Sequence, residues 1–172
     1  MIWQEFEAAA PRLAGLGRER FERHHLALIG TLRADGSPRI SPVEPYLVLG
    51  HLLLGFEWPT SKARDLLRDP RCTLHSTVTD PDGQDGEFKL FGRALAADPV
   101  LANSDYPAWW HGRQPAGYRV FWVDIESAAF ISWDLEADEM TLHRWTPAKG
   151  ETEVRRPRGR VCEGEPRGGC RQ

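Results

Sequence analysis

Short apolar runs separated by turn residues recur through most of the chain, and this pattern limits the possible folds more than any other feature. The run "LALIGTLR" at 26–33 is followed by "ADGS", and an Asp-Gly pair between two extended runs is a strong hairpin signal. A second hairpin is predicted in "YLVLGHLLLGF", turning near Gly50-His51. With the further apolar runs at 71–79, 87–96, 118–134 and 140–147, we expect about eight strands in a closed or nearly closed antiparallel barrel.

One of the predicted strands is irregular. The segment "PRISPVEPYLVL" at 38–49 reads as extended, but it contains three prolines, Pro38, Pro42 and Pro45. Each proline lacks a backbone N–H and removes one donor from a sheet. We therefore expect this strand to be distorted or to lie at a sheet edge.

Helices are few and short in this prediction. Apolar residues from Trp3 to Leu16 recur at steps of three and four, which predicts an amphipathic helix with a break or kink at Pro11. A weaker pattern at residues 17–24 indicates a further short helical turn. A further helix is predicted at 61–69, and it ends at Asp69-Pro70, because a residue before proline is pushed out of the helical region.

The length of 172 residues fits one domain, which we place at 1–149. Residues 150–172 contain almost no apolar side chains and are predicted to form a flexible polar tail. Net charge is −3, so composition gives no case for a nucleic-acid partner. No apolar run approaches the ~18 residues of a membrane helix and no signal-peptide pattern begins the chain, so we expect a cytoplasmic protein with no membrane partner.

Metal and disulfide chemistry are not predicted. The six histidines include no pair with zinc-motif spacing. Cys72 lies in an apolar strand, and Cys162 and Cys170 lie in the polar tail. A cytoplasmic chain with three cysteines does not suggest a disulfide framework, although a clip between the two tail cysteines is conceivable.

The chemistry-bearing stretch is "PTSKARDLLRDP" at 59–70, where a strand meets a helix. One reading is a simple cap, in which Thr60 or Ser61 accepts a helix N–H and Lys62 is solvated. The other is a phosphate site, in which the helix N–H groups, both hydroxyls, Lys62 and a second cation at Arg64 bind an anion. A lysine in the first turn is mildly unfavourable without an anion. Local chemistry leaves both readings open.

The order of these segments resembles the pyridoxamine 5′-phosphate oxidase-like family, whose members are split β-barrels that bind flavin or deazaflavin. The matching residues are the first hairpin "LALIGTLRADGSPRISPV", the stretch Ser61-Lys62-Ala63-Arg64-Asp65-Leu66 and the following "DPR" at 69–71. The likeness covers roughly residues 20–135. It implies a mainly β fold, an antiparallel split β-barrel with a few short helices.

The resemblance also implies a cofactor site. Lys62, Ser61 and Thr60 would contact the phosphate, with Arg64 as the second cation already noted. The second strand would line the ring with Arg39, Ser41 and Val43. The end of the fourth strand would border the ring or the ribityl chain with Phe56, Glu57 and Trp58. In this family the cofactor lies at a homodimer interface, and Trp109, Trp110 and Trp133 are candidates for contacts from the partner chain. The C-terminal arginine and histidine positions of the vitamin B6 enzyme have only a weak counterpart in "LHRW" at 142–145, so that substrate is not predicted.

These features predict an oxidoreductase that uses FMN or the deazaflavin coenzyme F-420 to transfer a hydride to or from a small organic substrate. The cofactor would carry the redox chemistry, so no essential side-chain base is assigned. The choice between FMN and F-420 stays open. A non-catalytic module of the same fold that binds flavin or, less favoured, haem is the alternative, and a dimeric scaffold with a vestigial pocket is a third.

Overall fold

The computed structural model of the protein describes residues 1–102 and 117–157. Its helices are α1 (Trp3–Ala9), α2 (Pro11–His24), α3 (Ser61–Arg68) and α4 (Pro99–Ala102). Its strands are β1 (Ala27–Leu32), β2 (Pro38–Val43), β3 (Pro45–Val48), β4 (His51–Glu57), β5 (Arg71–Ser76), β6 (Glu87–Ala96), β7 (Tyr118–Asp134), β8 (Glu139–Thr146) and β9 (Gly150–Pro157).

All nine strands belong to one sheet, and every pairing is antiparallel. The main path runs β2-β1-β5-β6-β7-β4-β3. Its two end strands, β2 and β3, are separated in sequence by Glu44 alone. The ends of the sheet therefore meet through the chain itself and not through hydrogen bonds, which gives a curled barrel with a split between β2 and β3.

The long strand β7 organises the second half of the barrel. Its first part, Tyr118–Trp122, pairs with β4, and its last part, Ala128–Asp134, pairs with β8. From Phe121 to Ile131 β7 also pairs with β6, with a register shift between Phe91 and Gly92. Such a bulge bends a strand, which allows one strand to serve two parts of the sheet.

Helices α1 and α2 pack on an aromatic cluster in the core. Trp3 is 1% exposed, and its ring lies 5.4 Å from the ring of Phe6 and 6.3 Å from that of Phe88. Gly17 allows α2 to lie this close, because a Cβ at that position would be 2.5 Å from the Phe88 ring. Within the described ranges, no helix is long and apolar enough to span a membrane.

The structure refines the predicted helices and strands. The break predicted at Pro11 is confirmed, and α2 continues to His24 through residues 17–24, where the helical pattern of the sequence is weaker. The proline-rich segment divides into β2 and β3, each four to six residues long, and the described part of the chain holds nine strands where about eight were expected, because β9 forms in the predicted tail. A proline at the start of each strand places the missing N–H where it costs least.

The prediction of a flexible tail from residue 150 is wrong for its first eight residues. Gly150–Pro157 form β9 and pair with β8 in register from Thr146↔Gly150 to Glu139↔Pro157. This strand has no apolar pattern because it is an exposed edge strand, held by backbone hydrogen bonds and not by core packing. The remainder of the predicted tail, with Cys162 and Cys170, lies outside the described residues.

Candidate functional site

The turn between β4 and α3 is held on both sides by backbone hydrogen bonds. The Trp58 N–H donates to the Gly117 carbonyl at 2.6 Å, and the Thr60 N–H donates to the Glu57 carbonyl at 3.1 Å. The Trp58 ring lies 5.1 Å from the guanidinium carbon of Arg119, a distance at which a cation interacts with an aromatic face. These contacts fix where α3 begins.

The N-terminus of α3 lacks a side-chain cap, contrary to the capping reading of Thr60 and Ser61. Thr60 occupies the N-cap position with an extended backbone, but its side chain makes no cap hydrogen bond. Its Oγ1 atom is buried, and it has no hydrogen-bond partner among the described residues. Within the same residues, no carbonyl outside the helix accepts from the N–H groups of Ser61 or Lys62. Unsatisfied N–H groups and a buried hydroxyl together form a site for an acceptor.

Lys62 lies between this helix and the neighbouring strands. Its ammonium donates to the Pro42 carbonyl of β2 at 2.6 Å and lies 5.1 Å from the centre of the Phe56 ring. Burial lowers the pKa of Lys62 below its usual 10.5, while the negative charges of Glu44 and Glu57 oppose that shift. An ammonium has three donors, so Lys62 can bind an anion and still hold Pro42.

Asp65 forms a buried polar cluster behind the helix. It is 4% exposed and accepts from Arg39 Nε at 2.7 Å, from Arg68 Nη2 at 3.1 Å and from Thr31 Oγ1 at 3.1 Å. Burial alone would raise the pKa of Asp65, but these hydrogen bonds outweigh burial and hold the pKa below 3.8. Asp65 is therefore an ionised carboxylate that holds β1, β2 and α3 together.

The predicted residues of β2 divide between this cluster and the core. Arg39 and Ser41 alternate with outward-facing Ile40 and are partly buried on the side of β2 toward α3. Val43 is 4% exposed and belongs to the main hydrophobic core. The structure therefore brings Arg39 to α3, whereas the side chain of Val43 packs inside the barrel.

The remaining predicted residues border the same turn or lie elsewhere. Phe56 is buried beneath Lys62, and the side chain of Arg64 is exposed and makes no hydrogen bond or ion pair among the described residues. Trp133 packs against Gly83 of its own chain, leaving no space for a Cβ there. Trp109 and Trp110 lie outside the described residues.

Sequence reasoning missed Thr31, Asp65, Arg33 and Arg68 as parts of the site. One signal was available, since Asp65 falls beside Leu66 on the buried face of α3, where a carboxylate needs partners. Arg33 and Arg68 join Arg39, Ser61 and Arg64 around an open cleft of about 380 Å³. Among residues 1–102 and 117–157, no group of three or more possible ligands is placed to hold a metal ion.

The arrangement at α3 fits a phosphate group. Among the described residues the buried Thr60 hydroxyl has no partner, and it belongs to the N-cap residue of the helix whose first turn carries Lys62. Phosphate oxygens accept hydrogen bonds from hydroxyl, helix N–H and ammonium donors, and the helix dipole favours an anion there. The donor set thus has the chemistry that a flavin or deazaflavin phosphate requires.

Comparison with solved structures identifies the fold. The Burkholderia lata protein PhzG, solved with tetrahydrophenazine-1-carboxylic acid, matches with a TM-score of 0.63 and 9% identity over 87% of this chain and 93% of its own. A haem-binding protein from Mycobacterium smegmatis matches with a TM-score of 0.59 and 16% identity over 84% and 88%. A pyridoxamine 5′-phosphate oxidase-related, FMN-binding protein from Nostoc punctiforme matches with a TM-score of 0.57 and 10% identity over 84% and 94%.

No protein-family model matches the chain, and no curated protein sequence matches it. The structural matches extend over most of the chain and of each neighbour, and they agree with a mainly antiparallel sheet that carries a few short helices. The expected architecture is confirmed. The chain has the split β-barrel fold of the pyridoxamine 5′-phosphate oxidase-like proteins.

Proposed function

We propose that the protein is an oxidoreductase that binds FMN or coenzyme F-420 with its phosphate at the N-terminus of α3. The observation that carries this proposal is the buried, unpartnered Thr60 hydroxyl beside the uncapped helix. An unpaired buried hydroxyl is costly, so its presence is best explained by a ligand acceptor. The FMN-binding structural neighbour from Nostoc punctiforme supports the same cofactor class.

In this proposal the protein binds and orients, and the cofactor when bound accepts or donates the hydride. Thr60, Ser61 and Lys62 hold the phosphate, and Arg64 adds a nearby positive charge. The side of β2 that carries Arg39 and Ser41 borders the ring. The turn between β4 and α3, at Trp58, closes the other end of the cofactor site. No side chain is required to move a proton, so the identity of the small organic substrate depends on the shape of the pocket around the ring.

The proposal includes a homodimer, and the outer face of the sheet supports it. One row of outward-facing residues crosses five neighbouring strands without a charge: Ile40, Gly30, Thr73, Phe91 and Ser127. Ile40 is 73% exposed and Phe91 is 42% exposed. Because β2 presents Ile40 on one side and Arg39 on the other, a partner that covers this row would be separated from Arg39 by strand β2 alone. Location in the cytoplasm is part of the same proposal.

The alternative is a non-catalytic binding module of the same fold, and the haem-binding neighbour from Mycobacterium smegmatis is the reason to retain it. Haem needs an axial ligand, most often histidine. In the described part of the chain, no histidine lines the cleft beside α3 or contacts Lys62. The donors at α3 therefore favour a phosphate-bearing cofactor over haem.

The visible absorption spectrum tests the proposal. The purified protein is titrated separately with FMN, coenzyme F-420 and haemin, and binding is followed by the spectrum and by the melting temperature. We expect saturable binding of FMN or F-420, and reduction or oxidation of the bound cofactor when a substrate is found. A Soret band with no flavin or deazaflavin binding would support the haem module instead. An unchanged melting temperature with all three would refute cofactor binding.

A further inference from the structure

An arginine-rich cleft lies beside α3, at the end of the β1–β2 hairpin. Its volume is about 380 Å³, and it is open to solvent. The lining residues, which we call the arginine cleft, come from the hairpin, from β2 and from α3: Arg33, Ala34, Asp35, Arg39, Ser61, Arg64, Asp65 and Arg68. Four guanidinium groups face two carboxylates, which leaves an excess of two positive charges in a protein whose net charge is −3.

The carboxylates do not cancel all of the positive charge. Asp65 is committed to Arg39 and Arg68. Asp35 accepts from the N–H and hydroxyl of Ser37, and these hydrogen bonds hold its pKa below 3.8. The exposed side chain of Arg64 makes no hydrogen bond or ion pair among the described residues, so its guanidinium is available to a ligand.

The buried carboxylate of Asp65 fixes two of the arginine side chains that line the cleft. Asp65 is 4% exposed and holds Arg39 and Arg68 in place, and Arg68 also donates to the Leu32 carbonyl at the end of β1. Fixed guanidinium groups lose less side-chain entropy when they bind a carboxylate or phosphate than free surface arginines do. This distinguishes the cleft from a solvated patch of charge.

Lys62 and the arginine cleft are separate groups of cations. The Lys62 ammonium reaches the Pro42 carbonyl and the Phe56 ring, and Lys62 does not line the cleft. Ser61, the first residue of α3, lies at the border between them. A single phosphate at Thr60 and Lys62 therefore leaves the charge of the cleft unused.

We propose that the arginine cleft is a second anion subsite, which binds a carboxylate or phosphate group beyond the phosphate held at Thr60 and Lys62. This inference rests on the proposed function for the position of the first phosphate. The second anion has two possible sources of the same chemistry. It belongs either to the cofactor, as in the glutamate tail of coenzyme F-420, or to an anionic substrate that binds beside FMN.

The subsite itself is tested without any cofactor. The melting temperature of the full chain is measured against citrate concentration at constant ionic strength, set with sodium chloride. The variant is the double substitution Arg33→Ser/Arg64→Ser, and the matched control is Arg144→Ser, which removes an exposed arginine with no ion pair on β8. We expect citrate to stabilise the wild type, the control and Lys62→Ala, and to stabilise the double variant at most half as much. Equal stabilisation of the double variant and the control, or none in the wild type, would overturn the subsite.

The source of the anion is tested with the two cofactors. If the cofactor supplies it, Arg33→Ser alone, which leaves Arg64 and the phosphate site intact, should bind F-420 about tenfold more weakly than the control does, while FMN affinity changes less than about twofold, since tenfold corresponds to about one charged hydrogen bond. If a substrate supplies it, protein loaded with FMN should bind citrate as well as the free protein does. Failure of the proposed function gives a different result. Neither cofactor would then bind to the wild type, whereas citrate would still stabilise it. A double variant that matches the control in every titration would exclude both sources.

Discussion

Thr60 is the residue whose environment is hardest to explain without a ligand. Its hydroxyl is buried and unpartnered at a helix N-cap position, where threonine normally bonds to an N–H two or three residues later. Leaving such a group unpaired costs about 1–3 kcal/mol in a folded protein. A ligand oxygen that accepts from the hydroxyl removes that cost when the site is filled.

Substitution of Thr60 by valine separates binding from folding. We expect Thr60→Val to raise the free energy of unfolding of the unliganded protein by about 1 kcal/mol, because an unpaired buried hydroxyl is replaced by an apolar group of the same shape. The affinity for FMN or F-420 should fall by about 1 kcal/mol. Denaturant unfolding and cofactor titration measure the two effects. As a control, Thr31→Val removes a hydroxyl that donates to Asp65 and should destabilise the free protein; a large loss of stability in Thr60→Val as well would contradict the account.

The residues at the strand–helix junction were predictable, whereas the cluster around Asp65 was not. Thr60, Ser61 and Lys62 are adjacent in sequence, so their chemistry can be read locally. Arg39 and Thr31 reach Asp65 from 26 and 34 residues away. Only the antiparallel pairing of β1 with β2, together with the position of α3, brings these three side chains into contact.

Asp65 gives the protein a pH dependence with a defined sign. The pKa of Asp65 in the folded protein lies below its ordinary 3.8, so the unfolded chain binds a proton at a higher pH than the folded protein does. Its contribution to stability is therefore complete above about pH 4 and is lost as the pH falls through the lowered pKa.

The substitution Asp65→Asn should lower the free energy of unfolding near neutral pH by about 2–3 kcal/mol, less than for a fully buried pair because Arg39 and Arg68 reach solvent. The difference from the wild type should shrink as the pH falls below about 4. Urea unfolding at several pH values measures both quantities. Asp138→Asn, in the exposed turn between β7 and β8, should change neither, and an equal effect of the two substitutions would contradict the role of Asp65.

Strand β9 stabilises an element far from it in sequence. Helix α2 begins after Ala10, which cannot cap a helix, and the Leu13 N–H instead donates to Glu151 Oε1 at 2.8 Å. The neighbouring Glu153 pairs with Arg12 at 2.7 Å. A carboxylate from β9 therefore replaces the missing N-cap of α2 and interacts favourably with the helix dipole.

Removal of this carboxylate should weaken both elements. We expect Glu151→Ala to lower the free energy of unfolding by about 1 kcal/mol, the usual cost of losing a helix cap, and to increase amide exchange at Leu13. Denaturant unfolding and hydrogen exchange measure these effects, and Glu136→Ala in an exposed turn is the control. If the two substitutions were equivalent, β9 would not contribute to capping α2.

The polar composition of β9 explains why it was predicted to be a tail. Six of its eight residues are exposed, so it has no hydrophobic periodicity from which a strand could be recognised. Its support comes from backbone pairing with β8 and from charged contacts to α2, and neither leaves a local signal. Strand β6, in contrast, alternates between apolar and polar residues, and β1 and β4 are apolar runs bounded by turn residues, so all three could be predicted from sequence.

The whole molecule presents an uncharged row on its outer face, and we expect this row to be covered in a homodimer. Ile40→Asp places a charge on the most exposed member of the row and should shift the protein toward a monomer, with weaker cofactor binding. Light scattering coupled to size exclusion measures the mass. Leu49→Asp, which is 67% exposed in the β3–β4 turn, should leave the mass unchanged. A monomeric wild type, or a dimeric Ile40→Asp variant, would contradict this interface.

The central claim is that α3 holds the phosphate of a flavin or deazaflavin cofactor. The most direct test compares FMN and F-420 binding to the wild type, to Lys62→Ala and to Arg144→Ala, measured by difference absorption at equal protein concentration. The account predicts that Lys62→Ala weakens binding by about 1.5–3 kcal/mol, the scale of a charged hydrogen bond, while Arg144→Ala matches the wild type. Equal affinity in all three proteins, or no binding by the wild type, would contradict it.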